Sequence, residues 1–207
     1  MGATIYQLNI SLIGIKPLIW RQFQVPANIH LHRFHLMLQA IMGWTNSHLY
    51  SFQVNGIEYG ELDPDNEFDE LDFTDSHRTR LNQVVSQEKA SFLYTYDFGD
   101  GWQHKITVEK ILQVDTSARY PLCLAGERAC PPEDCGGIGG YAELLKIIRN
   151  PRHKEHKEMM YWLGGSFDPE YFDFNHINRA LNRFRPKSKP LQFPVPEAFR
   201  RAFEEKA

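Results

Sequence analysis

Apolar and polar positions alternate through the start of the chain, and then the period changes. In TIYQLNISLI and LIWRQFQV, residues 4–13 and 18–25, β-branched and aromatic side chains dominate, the pattern of two strands. Gly14–Pro17 reads as their connection. LHRFHLMLQAIMGW then places Leu31, Phe34, Leu38, Ile41 and Met42 at helical spacing, with Gly43 as the stop. HLYSFQVNGIEYG returns to alternation and runs into Asn55-Gly56, a pair suited to a two-residue hairpin turn. A short helical piece near Leu81–Val85 precedes ASFLYTYDFGDGWQHKITVEKIL, a second long hairpin. Tyr120–Gly140 is rich in Cys, Pro and Gly and reads as irregular. Helices are predicted at Tyr141–Ile148, Lys154–Leu163 and Phe172–Phe184. Strands first and helices later predict an α+β fold: a mainly antiparallel sheet built from hairpins, with helices packed on one side. One domain is expected over residues 1–185. RPKSKPLQFPVPE, with four prolines, then leads as a stiff linker into a short amphipathic C-terminal helix within 186–207.

Composition narrows the function classes. The 207 residues are 42% hydrophobic, with 14 Phe and 9 Tyr, ample for a packed core. No apolar run approaches the roughly 20 residues needed to cross a bilayer. The N-terminus carries no basic leader followed by a cleavable apolar segment, so a cytoplasmic location is expected. The net charge of −3 is unevenly spread: residues 1–145 hold 10 Lys+Arg against 18 Asp+Glu, residues 146–207 hold 13 against 8. Nine of the acids fall in IEYGELDPDNEFDELDFTD, which reads as a solvated loop. Its Asp63, Asp65 and Glu67 imitate a calcium loop, but Phe68 stands where glycine is required and Thr74 where a bidentate Glu belongs.

Chemistry concentrates in YDFGDGWQH, Tyr96 to His104. A turn of two or four residues centred on Gly99-Asp100 pairs Asp97 with Trp102. Asp97, Trp102 and His104 then share one face, while Phe92, Tyr94 and Tyr96 line the other. A three-residue loop would shift that register. Asp97 and Asp100 can equally serve as acceptors for turn amides. A second donor set is Cys123, Cys130 and Cys135, to which His153 or His156 adds a fourth ligand, a Cys₃His-type zinc set, though its intervals of seven and five lack the close CxxC spacing. Reduced structural thiols are the alternative. Gly137-x-Gly139-x-x-Ala142 opens a helix, yet it follows Glu133-Asp134, whose charge repels phosphate, so no dinucleotide site is read there. His32 and His35 lie on one helix face and read as hydrogen-bonded neighbours of the core. No HExxH, GxSxG or P-loop sequence occurs.

In order, ISLIGIKPLIWRQFQVP, HLMLQAIMGWTNSHLYSF, YDFGDGWQH and CPPEDCGG with GGY resemble the plasmid Ri ORF-3-like family, from about Ile5 to Leu181. The resemblance implies an α+β domain associated with plasmids and insertion elements, some relatives being labelled resolvases. It carries over Trp20, Arg21, Trp44, His48, Asp97, Asp100, Trp102, His104, Glu133 and Asp134 as motif members. The recombinase constellations themselves are missing: no arginine accompanies the first strand, and His30-x-x-Arg33 has no ordered Arg before it and no terminal Tyr after it.

Two function classes follow. One is a soluble binding module for a protein or nucleic-acid partner, with Arg179, Arg183, Arg185, Lys187 and Lys189 as the basic segment that attracts phosphate. The other is a metal-dependent, hydrolytic enzyme in which His48, Asp97 and His104 hold a divalent transition metal or perform acid–base work.

Overall fold

The computed structural model describes residues 4–62 and 73–185. Most of the acidic run and the whole of 186–207, with Lys187, Lys189 and the predicted C-terminal helix, lie outside the described residues. The elements are β1 (Thr4–Leu12), β2 (Trp20–Pro26), α1 (Leu31–Met42), β3 (Tyr50–Val54), β4 (Ile57–Gly60), β5 (Thr74–Asp75) and α2 (Leu81–Val84). They continue as β6 (Ser91–Tyr96), β7 (Trp102–Gln113), β8 (Leu122–Glu127), α3 (Gly137–Arg149), α4 (His156–Trp162) and α5 (Phe174–Leu181), with a 3-10 turn over Asn182–Phe184. The strands form one sheet ordered β5-β4-β3-β6-β7-β1-β2-β8. All neighbouring pairs are antiparallel except β4 with β5. The fold is α+β, as the pattern predicts.

Alternation makes the core. Leu8, Ile10 and Leu12 of β1, Phe23 and Val25 of β2, and Phe92, Tyr94 and Tyr96 of β6 are buried, with more exposed residues between them. Helix α1 lies across this face: the Phe34 ring sits 6.2 Å from Phe23 and 5.6 Å from Phe52. Truncating such a ring to alanine costs about 4 kcal/mol, from lost burial and the cavity left behind. The β3–β4 hairpin turns at Asn55-Gly56 with φ of 52° and 81°, the left-handed pair that a two-residue turn needs.

Two elements depart from expectation. Strand β8 lies inside the Cys/Pro/Gly segment, where glycine and proline masked its period. It pairs with β2 through a register shift between Gln22 and Phe23. The second departure is the β6–β7 hairpin. Tyr96 pairs with Trp102 and Tyr94 with His104, so the loop holds five residues, 97–101. The odd count moves Trp102 and His104 onto the same buried face as Tyr94 and Tyr96, and lifts Asp97 out of the ladder. The expected shared face of Asp97, Trp102 and His104 is therefore corrected.

Candidate metal centre

Released from the strand, Asp97 adopts a left-handed backbone with φ of 57°. One carboxylate oxygen, Oδ1, accepts from the amides of Gly99 (2.9 Å) and Asp100 (3.2 Å). This is the turn-capping role that Asp performs readily. The other oxygen, Oδ2, faces His48 Nε2 at 3.7 Å. Asp97 is 5% exposed, so this carboxylate is largely removed from water. The loop is anchored at both sides: Asp97 N–H donates to Leu49 O, and Asp100 Oδ2 accepts from Gly136 N–H at 3.1 Å. Gly137 explains its own residue type. At φ 66° a Cβ there would sit 2.5 Å from Asp100 O, so glycine lets α3 begin against the hairpin rather than cradle a phosphate.

That anchorage delivers Glu133 and Asp134. Trp44, buried behind α1, donates from Nε1 to Pro131 O at 2.9 Å. Its ring stacks on Tyr96 with centroids 4.9 Å apart. Glu133 Oε1 accepts from Thr45 N–H at 2.7 Å and Thr45 Oγ1 at 3.0 Å, and the Tyr96 hydroxyl donates to both carboxylate oxygens at 3.1 and 3.2 Å. Burial holds the Tyr96 hydroxyl well above its usual pKa, so it remains a donor. Glu133 Oε2 lies 3.8 Å and Asp134 Oδ1 3.0 Å from His48 Nε2.

His48 Nε2 is thus bounded by three carboxylates, yet it is buried and has no hydrogen-bond partner. The 3.0 Å approach of Asp134 Oδ1 is an ion-pair distance for a protonated His48, not a hydrogen bond. Donor atoms of His48, Asp97 and Asp134 all lie within 4.8 Å of one another. Atoms each about 2.1 Å from one ion have separations of that order. Among the described residues, no Lys or Arg forms an ion pair with Asp97, Glu133 or Asp134. Glu133 and Asp134 also edge a groove of about 700 Å³ whose walls include Trp44, Trp162, Tyr171 and Phe172.

His104 is not in this group. It is fully buried, with Nδ1 3.2 Å from Tyr94 O and its ring edge-on to Trp44 at 5.3 Å. Burial lowers its pKa to about 4. Trp102 is 1% exposed and packs toward Trp44 at 6.2 Å. Arg21 is likewise structural: its guanidinium donates to the carbonyls of Trp20, Glu127 and Arg128 at 2.6–2.7 Å and stacks under Phe172. It clamps the end of β2 to β8, where Trp20 pairs with Glu127.

The cysteine set does not assemble. Among the described residues, neither close group of metal-donor side chains includes Cys123, Cys130, Cys135, His153 or His156. Burial pushes the three thiols up, to about 11 for Cys123 and Cys130 and about 12 for Cys135, which suits reduced, inert thiols. In the basic segment, Arg179 lies 3.9 Å from Asp173, Arg183 packs over Phe184, and Arg185 donates to Pro121 O and Asn182. Sequence reasoning missed Tyr96 and Thr45 as holders of Glu133. Tyr96 reads as a core aromatic in the alternation, and nothing local reveals the partner of its hydroxyl.

Comparison with known proteins agrees with the order of motifs. An uncharacterized protein, y4hQ, of Sinorhizobium fredii is 38% identical over 189 residues, covering 90% of this chain and 95% of that protein. A crystal structure of a protein of unknown function, MM3350 from Methanosarcina mazei Go1, superposes with a TM-score of 0.75 at 38% identity, covering 84% of this chain and 97% of that one. Residues 4–176 match the profile of the plasmid pRiA4b ORF-3-like proteins, and the chain belongs to that family.

Proposed function

We propose that His48, Asp97, Glu133 and Asp134 bind one divalent transition metal, and that the protein is a metal-dependent enzyme of hydrolytic type. The observation that carries this reading is His48 Nε2, a buried nitrogen with no hydrogen-bond partner amid three carboxylates. Three carboxylates converge on one imidazole with no Lys or Arg paired to them among the described residues, an arrangement that a bound cation would stabilise. One nitrogen and several oxygens suit manganese or zinc. Such an ion would supply a water acidified toward neutral pH. The chain's own contributions support the same reading. Asp97 is fixed by two turn amides, Glu133 by Thr45 and Tyr96, and the aromatic groove beside them can hold an organic substrate out of water.

The test uses untagged protein. Metal analysis after purification, followed by stripping and titration with manganese or zinc, is expected to show a tight equivalent that the His48→Ala/Asp134→Ala variant loses. Turnover of p-nitrophenyl ester and phosphoester probes should follow the metal content. A chain with no affinity for either ion removes the reading. Metal binding without turnover of any probe leaves a metal-binding module and removes the hydrolytic part.

A further inference from the structure

A second group of donors lies at the N-terminus of α1, among residues without a part in the proposed centre. One atom each of His32, Glu61 and His77 lie within 4.8 Å of one another. The backbone ties all three into place. His32 N–H donates to Ser76 O at 3.1 Å and Leu31 N–H to Thr79 O at 2.9 Å, so the 76–79 turn supplies acceptors for the first amides of the helix. Ser76 N–H donates to Gly60 O at 2.9 Å, beside the parallel pairing of Gly60 with Asp75, and this sets Glu61 next to His77. Asp75 Oδ1 accepts from His77 N–H at 2.7 Å.

The imidazole of His32 is oriented from behind. Its Nδ1 is 3.1 Å from the Tyr50 hydroxyl, which in turn is 2.8 Å from Ser76 Oγ in the interior. A ring nitrogen engaged inward leaves Nε2 as the free donor, the usual arrangement of a metal-binding histidine with an outer hydrogen-bond partner. His77 Nε2 already approaches Glu61 Oε1 at 3.4 Å. The two imidazoles stack, with centroids 3.8 Å apart at 18°. In-plane binding of one ion by both rings requires His77 to turn out of this stack, a movement that its exposed side chain and broad terminal torsion allow.

The geometry points to a second metal site, at His32, His77 and Glu61, for a divalent ion that favours imidazole, of which zinc is the type. Two imidazoles and one carboxylate are a common three-ligand zinc set, leaving a position for water or a further donor. The chemistry differs from that of the oxygen-rich centre at His48, and the two sites share no residue.

Zinc titration of untagged, metal-stripped protein, read by calorimetry and native mass spectrometry, tests this. The unaltered chain is expected to bind two equivalents. His77→Ala, a change on an exposed loop, should lose one of them. Tyr50→Phe, which keeps the ring and removes only the hydroxyl behind His32, should weaken that same equivalent by about 10- to 100-fold. An equivalent that persists in His48→Ala/Asp134→Ala and disappears in His77→Ala supports this site even if the proposed centre fails. Zinc binding that is unchanged by both His77→Ala and Tyr50→Phe overturns it.

Discussion

The inner and outer sides of the β6–β7 hairpin use histidine in opposite ways. On the inner side, His104 is a core residue: fully buried, bonded at Nδ1 to Tyr94 O, its Nε2 left without a partner. On the outer side, His48 meets the loop of the hairpin through Asp97 and sits beside Glu133 and Asp134, both supplied by one other segment. The environment makes the difference, since both side chains have the same chemistry. A histidine inside hydrocarbon is held neutral and contributes to stability. A histidine facing acids at a groove is available to a cation. The two roles should separate cleanly under mutation.

The largest effect is expected on the inner side. His104→Ala should cost about 4 kcal/mol, the order found when a buried ring is truncated. Urea denaturation measures it, and manganese stoichiometry should be unchanged in the folded variant. Next comes acid sensitivity. The folded pKa of His104 is depressed to about 4 against an ordinary 6.5, so the unfolded chain takes up the proton first. Its contribution is full above about pH 6.5 and is lost as pH falls toward 4, amounting to about 3 kcal/mol. Denaturation midpoints followed across that window should decline, and a His104→Gln variant should decline less.

The loop between the two sides lies between them in magnitude. Asp97→Ala removes the acceptor of two turn amides and should cost about 2 kcal/mol while also abolishing tight metal binding. Asp97→Asn keeps an oxygen for the amides, so its stability loss should be smaller although metal affinity still falls. The smallest stability effect belongs to His48→Ala, within about 0.5 kcal/mol for a partly exposed side chain. A large loss of stability in His48→Ala would mean that this residue, too, is a core histidine.

How far the sequence could be read follows from the same contrast. Asn55-Gly56 announces its turn because two adjacent residues carry the whole left-handed geometry. Helix α1 is legible because one face repeats at 3.6 residues over 12 positions. The YDFGDGWQH loop was located but its register was not, since counting five loop residues rather than four depends on where the ladder with β3 and β7 ends. That ending is set by pairings such as Tyr50 with Tyr96, more than 40 residues apart. Sequence reasoning groups His48 with Asp97 but adds His104, and Glu133 and Asp134 enter it only as motif members. Their convergence needs the Trp44–Pro131 and Asp100–Gly136 hydrogen bonds, which no local pattern encodes. His77 carried no signal of its own, because its partners come from the N-terminus of α1 and the segment after β4.

Manganese binding, followed by electron paramagnetic resonance in untagged, metal-stripped protein, tests the centre most directly, because that ion favours the oxygen-rich set over the imidazole pair. The expected result is one bound ion per chain, absent in His48→Ala/Asp134→Ala and retained in His77→Ala. Free manganese throughout the titration, or the same bound ion in the double variant, would contradict a metal centre built on His48.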